Sequence, residues 1–258
     1  MCESYILVAK AKDIAKKFDV EKYVQQEFDF RIRGYPKTET APVVVRKNGK
    51  TQIRELIFSI CPEWASEFPF KPTTYNARMR RYKRNKMGEL VMDQNGNKIT
   101  EYIYEVPTWR NSFNKGHTCL VPLTSAIESC YFGTHGGQMV QFCLENKETY
   151  YVAGLWEDWM DRTTGEVKET FTLITDDPYE AFFNAGHDRS IFIIRESAHE
   201  DWLKNNKMSG VERYNFLLEN RVELPWKVET DKFLKSKWQK DTPTEEELAE
   251  IKIWRPNS

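Results

Sequence analysis

At Ala41 the chain changes period, and that change excludes most architectures. Upstream, Ala11 to Phe18 and Glu21 to Phe28 carry apolar residues three and four apart, which predicts two helices. Downstream, Val43-Val44-Val45 and Gln52 to Ile60 read as strands joined by the turn Lys47-Asn48-Gly49-Lys50. A second hairpin is expected from Glu89 to Val106, with Asn95-Gly96 at its turn. Further strands are expected at Thr118 to Val121, Gln138 to Leu144, Thr149 to Trp156 and Glu169 to Thr175, the last two separated by Thr163-Thr164-Gly165, and at Ile191 to Ile194. Helices are predicted at Pro178 to Phe183 and after Ser197 and Ser209, each of which has a glutamate at capping-box spacing. The acidic stretch Asp241 to Glu250 reads as an exposed helix capped at Thr242-Pro243-Thr244. Many strands with few long helices between them leave no room for a doubly wound sheet. The fold class predicted is α+β, one domain with a mainly antiparallel mixed sheet and peripheral helices.

Eight Trp, twelve Tyr and fifteen Phe supply enough apolar surface for a sizeable core, which excludes a disordered chain. No run approaches the roughly 20 apolar residues that cross a bilayer, and Met1-Cys2-Glu3-Ser4 lacks the basic and apolar regions of a signal peptide. A cytoplasmic or nucleoid-associated protein without a membrane partner is expected. Five cysteines without a C-x-x-C pair argue against a disulfide framework and a zinc site, and Cys61, Cys119, Cys130 and Cys143 read as core residues. His117, His135, His187 and His199 lack metal-site spacing, so neither metal nor cofactor is expected. Phosphate-cradling, dinucleotide and hydrolase motifs are absent.

Two local features carry chemistry. The net charge is −1, yet Arg78, Arg80, Arg81, Lys83, Arg84 and Lys86 fall within nine residues, a pattern suited to a polyanion or to a solvated surface arm. The other is Cys2. Removal of Met1 would leave a 1,2-aminothiol, whose amine (about pH 8) and thiol (about 8.5) titrate close enough to neutrality to be nucleophilic. Such a group condenses with an aldehyde to an imine, which the sulfur closes into a thiazolidine.

Several blocks in order resemble one family. Met1-Cys2 and Phe58-Ser59-Ile60-Cys61-Pro62-Glu63-Trp64-Ala65 look like the opening and the W-G-L-I-P-x-W-A block of the SRAP (SOS response-associated peptidase) family. Asn76-Ala77-Arg78 resembles its N-A-R motif, and His117-Thr118-Cys119-Leu120-Val121-Pro122 followed by Glu128 is similar to its R-C-L-V-P block and the glutamate of G-F-Y-E-W. Ala153-Gly154-Leu155-Trp156-Glu157 matches A-G-L-W-E, Thr170 to Thr175 its T-F-T-I-I-T strand, and His187-Asp188-Arg189 the start of H-D-R-M-P. The resemblance covers roughly residues 1 to 205. The chain departs from it at Glu3-Ser4 for Gly-Arg, at Arg80 for a glutamate, and in the residues flanking Glu128.

What the resemblance implies is a barrel-like SRAP domain, placed at residues 1–225, with 226–258 as a partly helical C-terminal extension. It further implies a monomer acting in the DNA damage response, which captures abasic sites in single-stranded DNA covalently through Cys2. Glu128 would be the acid/base group, His187 would assist ring opening and proton transfer, and Asn76 would orient the sugar or the terminus. Arg78, with Arg80, Arg81 and Arg84, would follow the phosphates, and Phe58 and Trp64 would offer stacking faces to bases. β-Elimination from the same imine is a further implied activity. A cysteine peptidase that removes its own first residue, and a non-catalytic single-stranded nucleic-acid-binding module, remain alternatives.

Overall fold

A computed structural model describes residues 4–204, 207–234 and 243–256. In chain order the elements are β1 (Ser4–Lys10), α1 (Ala11–Lys17), β2 (Glu27–Arg33), β3 (Thr40–Lys47), β4 (Lys50–Phe58), β5 (Asn76–Arg78), β6 (Arg80–Tyr82) and β7 (Thr100–Tyr102). Then follow α2 (Arg110–Lys115), β8 (Thr118–Leu123), β9 (Ser125–Cys130), β10 (Gln138–Leu144), β11 (Tyr150–Met160), β12 (Val167–Asp176) and α3 (Glu180–Ala185). The chain continues through β13 (Ser190–Ile191), α4 (His199–Lys204), α5 (Gly210–Asn220), β14 (Trp226–Phe233) and α6 (Glu245–Ala249).

Two sheets form the body. One runs β14-β10-β9-β1-β2, antiparallel throughout. The other runs β11-β8-β3-β4-β12, and β12 pairs back onto β11, so the five strands close into a barrel whose single parallel contact is β4 with β12. Closure removes the unpaired edges that an open sheet would expose. β5 and β13 add to the end of β12, β5 parallel and β13 antiparallel. This is the predicted class, α+β with a mainly antiparallel, barrel-like mixed sheet and peripheral helices.

Side chains along the barrel strands alternate between two cores, as the pleat requires. Val43 and Val45 of β3, Val121 of β8, Val152 of β11 and Leu173 of β12 enter one, together with Tyr5, Ala126, Val140 and Phe142 of the first sheet. Val44, Leu120, Ala153 and Ile174 face the other, closed by Ile14 of α1, Phe113 of α2, Trp202 of α4 and Leu217 of α5. Fully burying one such Val, Leu or Ile side chain stabilises the fold by about 1.5–3 kcal/mol. Cys61, Cys119, Cys130 and Cys143 are all buried free thiols, as expected of core residues.

The β3–β4 hairpin follows its turn signal, with Lys47 opposite Lys50 and Asn48 and Gly49 both at positive φ. The expected hairpin at Glu89 to Val106 does turn at Asn95-Gly96, but its arms are only bridged at Met92 and Lys98; Thr100–Tyr102 pairs instead with Arg80–Tyr82, so Arg80 and Arg81 of the basic run lie on one strand of a ribbon. Ser209 closes a capping box with Glu212, and Thr244 one with Glu247. Ser197 does not cap: the turn there is 3-10 and starts from Arg195 without a side-chain cap. The predicted helix at Glu21 to Phe28 is likewise absent, because Glu27–Arg33 pairs residue for residue with β1, and this ladder outweighs the helical spacing. Trp226–Phe233, at the start of the expected C-terminal extension, is the edge strand of the first sheet. Asp241 and Thr242 lie outside the described residues. Among those residues, no helix is long and apolar enough to cross a membrane.

Candidate functional site

The site is built where the first sheet meets the loop after α3. All six residues of β9 are buried, including Ser125, Glu128 and Ser129. Glu128 stands opposite Val140 and shares its strand face with Ala126 and Cys130, so a carboxyl projects into an apolar core. Burial there pushes its pKa up from 4.5 to about 7.

His187 is brought to this carboxyl by a tight cap. α3 ends at Gly186, whose φ of 117° is open to glycine, and the His187 amide donates to the Phe182 carbonyl at 3.0 Å. A Cβ on Gly186 would lie 1.7 Å from the Phe132 carbonyl oxygen, and the Tyr131 amide donates to the Gly186 carbonyl at 2.9 Å, so α3 docks closely on the end of β9. As a result His187 Nε2 lies 3.4 Å from Glu128 Oε2, with both side chains almost wholly enclosed. Nδ1 of His187 is 2.9 Å from the Ser129 carbonyl oxygen. A carbonyl only accepts, so Nδ1 carries the proton and Nε2 is the basic nitrogen turned toward Glu128. Burial holds the His187 pKa well below 6.5, so the imidazole is neutral. A carboxyl titrating near neutrality thus faces a neutral imidazole, so the pair holds one group able to give a proton and one able to take it.

Asp188 and Arg189 extend the pair toward solvent, with Arg189 Nε 3.2 Å from Asp188. Burial is the largest single influence and opposes charge on Asp188, but the neighbouring positive charges, Arg189 first and Arg78 among them, together outweigh it and hold the carboxyl well below the usual carboxylate range. Sequence reasoning passed over these two residues although they lie in the same block as His187. Asn76 and Arg78 are placed by β5, which pairs with Leu173 to Thr175 of β12, and being two apart in a strand they share a face. Arg78 falls within the fields of Arg189 and Asp188; burial and the Arg189 charge both lower its pKa, yet a guanidinium keeps its proton.

The remaining expected contacts separate. Arg80 pairs with Asp177 and Arg81 with Glu101 across the β6–β7 ribbon, while Arg84 Nη1 donates to the Gly88 carbonyl at 2.6 Å. Trp64 is half exposed, its indole N–H donating to Pro107 and its ring set edge-on to Phe70, and it keeps an open face. Phe58 is a correction. It is completely enclosed, stacked on Phe171 at 5.1 Å and edge-on to Tyr5, so no base reaches its ring. Cys2 lies outside the described residues.

A second buried carboxyl lies on β11. Glu157 accepts from Ser112 Oγ at 2.5 Å and lies 3.3 Å from His117 Nδ1, whose ring stacks on Trp156. Sequence reasoning read this glutamate only as part of a strand block. Its bonds to Ser112 and Asn111 tie α2 to the barrel.

A family model described as SOS response associated peptidase (SRAP) matches residues 83–229. Among solved structures, a Bacteroides thetaiotaomicron protein aligns at a TM-score of 0.63 with 18% identity, covering 98% of this chain and 100% of its own. A Bordetella bronchiseptica protein aligns at 0.64 with 17% identity over 90% of this chain and 100% of its own. A phage-related protein from Bordetella bronchiseptica aligns at 0.60 with 13% identity over 91% and 100%. At these identities the three show the shared fold. A comparison with functionally curated proteins gives no match. The matched segment spans more than half of the sequence and contains β9 and the His187 loop, and the chain belongs to the SOS response associated peptidase (SRAP) family.

Proposed function

We propose that the protein captures abasic sites in single-stranded DNA covalently, through a thiazolidine formed by Cys2 after loss of Met1. Membership in a family described as SOS response associated peptidases associates the chain with DNA damage and with an enzymatic role. The observation that carries the finer reading is the start of β1. Ser4 pairs with Ile127, the residue before Glu128, and the Glu128 carboxyl meets His187. Two residues of chain span at most about 7 Å. Cys2 is two residues from Ser4 in the sequence, a separation short enough to support this reading.

An abasic sugar exchanges between a ring-closed hemiacetal and an open aldehyde. Opening needs a proton removed from the C1′ hydroxyl and one delivered to the ring oxygen, and the neutral His187 Nε2 and the partly protonated Glu128 supply those two roles. The Cys2 amine then adds to the aldehyde carbon. One N–H proton passes to the carbonyl oxygen; Glu128, recharged with the proton that His187 took up, protonates the resulting hydroxyl, water leaves, and the remaining N–H proton returns to the pair as the imine forms. The Cys2 sulfur adds to the imine carbon, its proton passes to nitrogen, and the ring closes with one water lost overall. Arg78 offers a bidentate donor to a flanking phosphate, and Asn76 on the same strand face offers an amide to the sugar. Trp64 offers an exposed ring for stacking.

The test is incubation with an oligonucleotide bearing one abasic site, followed by a denaturing gel. The wild type is expected to give a denaturant-stable adduct, Cys2→Ala none, and Glu128→Gln one that forms about 100-fold or more slowly, the range removal of a general acid produces. An adduct that persists undiminished in Cys2→Ala would refute the assignment. Retention of Met1 by intact mass, in protein that forms the adduct, would refute the thiazolidine.

A further inference from the structure

The C-terminal strap lies across the cationic surface that the proposed function gives to DNA. Its last part is anchored by a built contact: the Trp254 amide donates to the Pro178 carbonyl at 2.8 Å, and its ring packs edge-on against Tyr179. The Arg221 guanidinium stacks on Trp254 at 4.9 Å while enclosed by Tyr179 and Phe192, and it pairs with Asp176 at 3.2 Å. From this anchor the chain leads back to α6, fixed at its start by the Thr244 capping box. There Glu250 binds Lys98 through both oxygens at 2.5 and 2.6 Å, and Lys98 sits over the Tyr82 ring of β6. Glu247, Glu250 and Lys252 of the strap line a cavity of about 230 Å³ together with Arg78, Arg80, Arg81, Asp177 and Asp188 of the body. Carboxylates therefore line the mouth that the phosphates of a strand entering toward His187 would have to occupy.

We propose that this strap is a built-in competitor for the polyanion, so that strap and single strand take the ribbon alternately. The inference rests on the DNA reading above and adds its regulation. Individually the exposed Lys98–Glu250 contact is weak. Tethering compensates, since a linked segment acts at an effective concentration on the order of millimolar, enough to set a threshold for short or poorly matched strands. Binding has to release the acidic helix, after which Lys98 and the rim of the cavity are free for phosphate.

The experiment measures the affinity of the full chain for a short undamaged oligothymidine by fluorescence anisotropy. The variants are Glu247→Gln with Glu250→Gln, which leaves the strap in place without the two carboxylates that line the cavity, and Trp254→Ala, which loosens its anchor. Both are expected to bind at least about threefold more tightly than wild type at low salt, with the gain shrinking as salt screens the carboxylates. The Gln pair answers the question even if Trp254→Ala folds poorly. Measurable binding by wild type with no gain in the Gln pair overturns the strap and leaves the DNA reading standing. No binding by wild type or the Gln pair overturns both.

Discussion

Replacing Glu128 by Gln tests the buried proton without any substrate. The carboxyl is wholly enclosed, and burial raises its pKa from 4.5 to about 7 in the folded protein. The sign follows from proton counting. Below pH 4.5 the group is protonated in both states and adds no difference. Between pH 4.5 and 7 the unfolded chain releases the proton while the folded one keeps it, so stability falls as pH rises; above 7 both are ionised and the loss is complete. A shift from 4.5 to about 7 corresponds to a loss of about 3 kcal/mol. Gln has the same shape and no proton to lose. The stability of Glu128→Gln relative to wild type is therefore expected to improve by about 3 kcal/mol from pH 4.5 to 8, or roughly 10 °C in melting temperature for a domain of this size. His187 adds an opposite slope, since its neutral folded form resists the proton that the unfolded chain takes up below pH 6.5. That slope is common to both proteins and cancels in the difference. Melts of both proteins at half-unit pH steps give the result. A difference that stays flat with pH would mean that Glu128 ionises at its ordinary pKa when folded, and the acid assigned to the dehydration step would be lost.

Other consequences follow from the same geometry. Gly186→Ala drives a methyl into the Phe132 carbonyl at a φ that L-residues avoid, and is expected to cost about 3 kcal/mol or more while displacing His187, read by denaturant titration. Phe58→Leu should lower stability by about 1–2 kcal/mol and leave DNA affinity unchanged, since the ring is core; a loss of affinity in fully folded protein would restore it as a stacking platform. Arg78→Gln should weaken single-strand binding and reduce the slope of log affinity against log salt by about 0.7, the share of one phosphate contact, and an unchanged slope would remove Arg78 from the phosphate track.

Much of the barrel was legible because its strands obey local rules. Lys47-Asn48-Gly49-Lys50 demands the β3–β4 hairpin, and β11 and β12 are long β-branched and aromatic runs about an obvious turn. The region around the site was not legible. β9 reads Ser-Ala-Ile-Glu-Ser-Cys, and a strand with three polar residues, all buried, shows neither alternation nor an apolar run. Its polar content is what the site needs, and that content hides the strand. β1 went unread, and its pairing with β2 is a tertiary fact that the helical spacing of Glu21 to Phe28 obscured. The closeness of Glu128 and His187 came only from ordered family resemblance, because residues 59 apart in sequence carry no local signal of contact. The same limit explains the miss at Phe58: its neighbours in sequence suggest a surface block, whereas Phe171 and Tyr5 arrive from elsewhere to bury it.

In the proposed function the N-terminal aminothiol, served by Glu128 and His187, closes on an aldehyde sugar. The most direct measurement is the intact mass of the protein after incubation with a short oligonucleotide carrying one abasic site, with peptide mapping of the product. The expected mass is that of the chain without Met1 plus the oligonucleotide less one water, with the link on Cys2. Met1-free protein that stays unmodified, or a link mapped to a lysine, would contradict it.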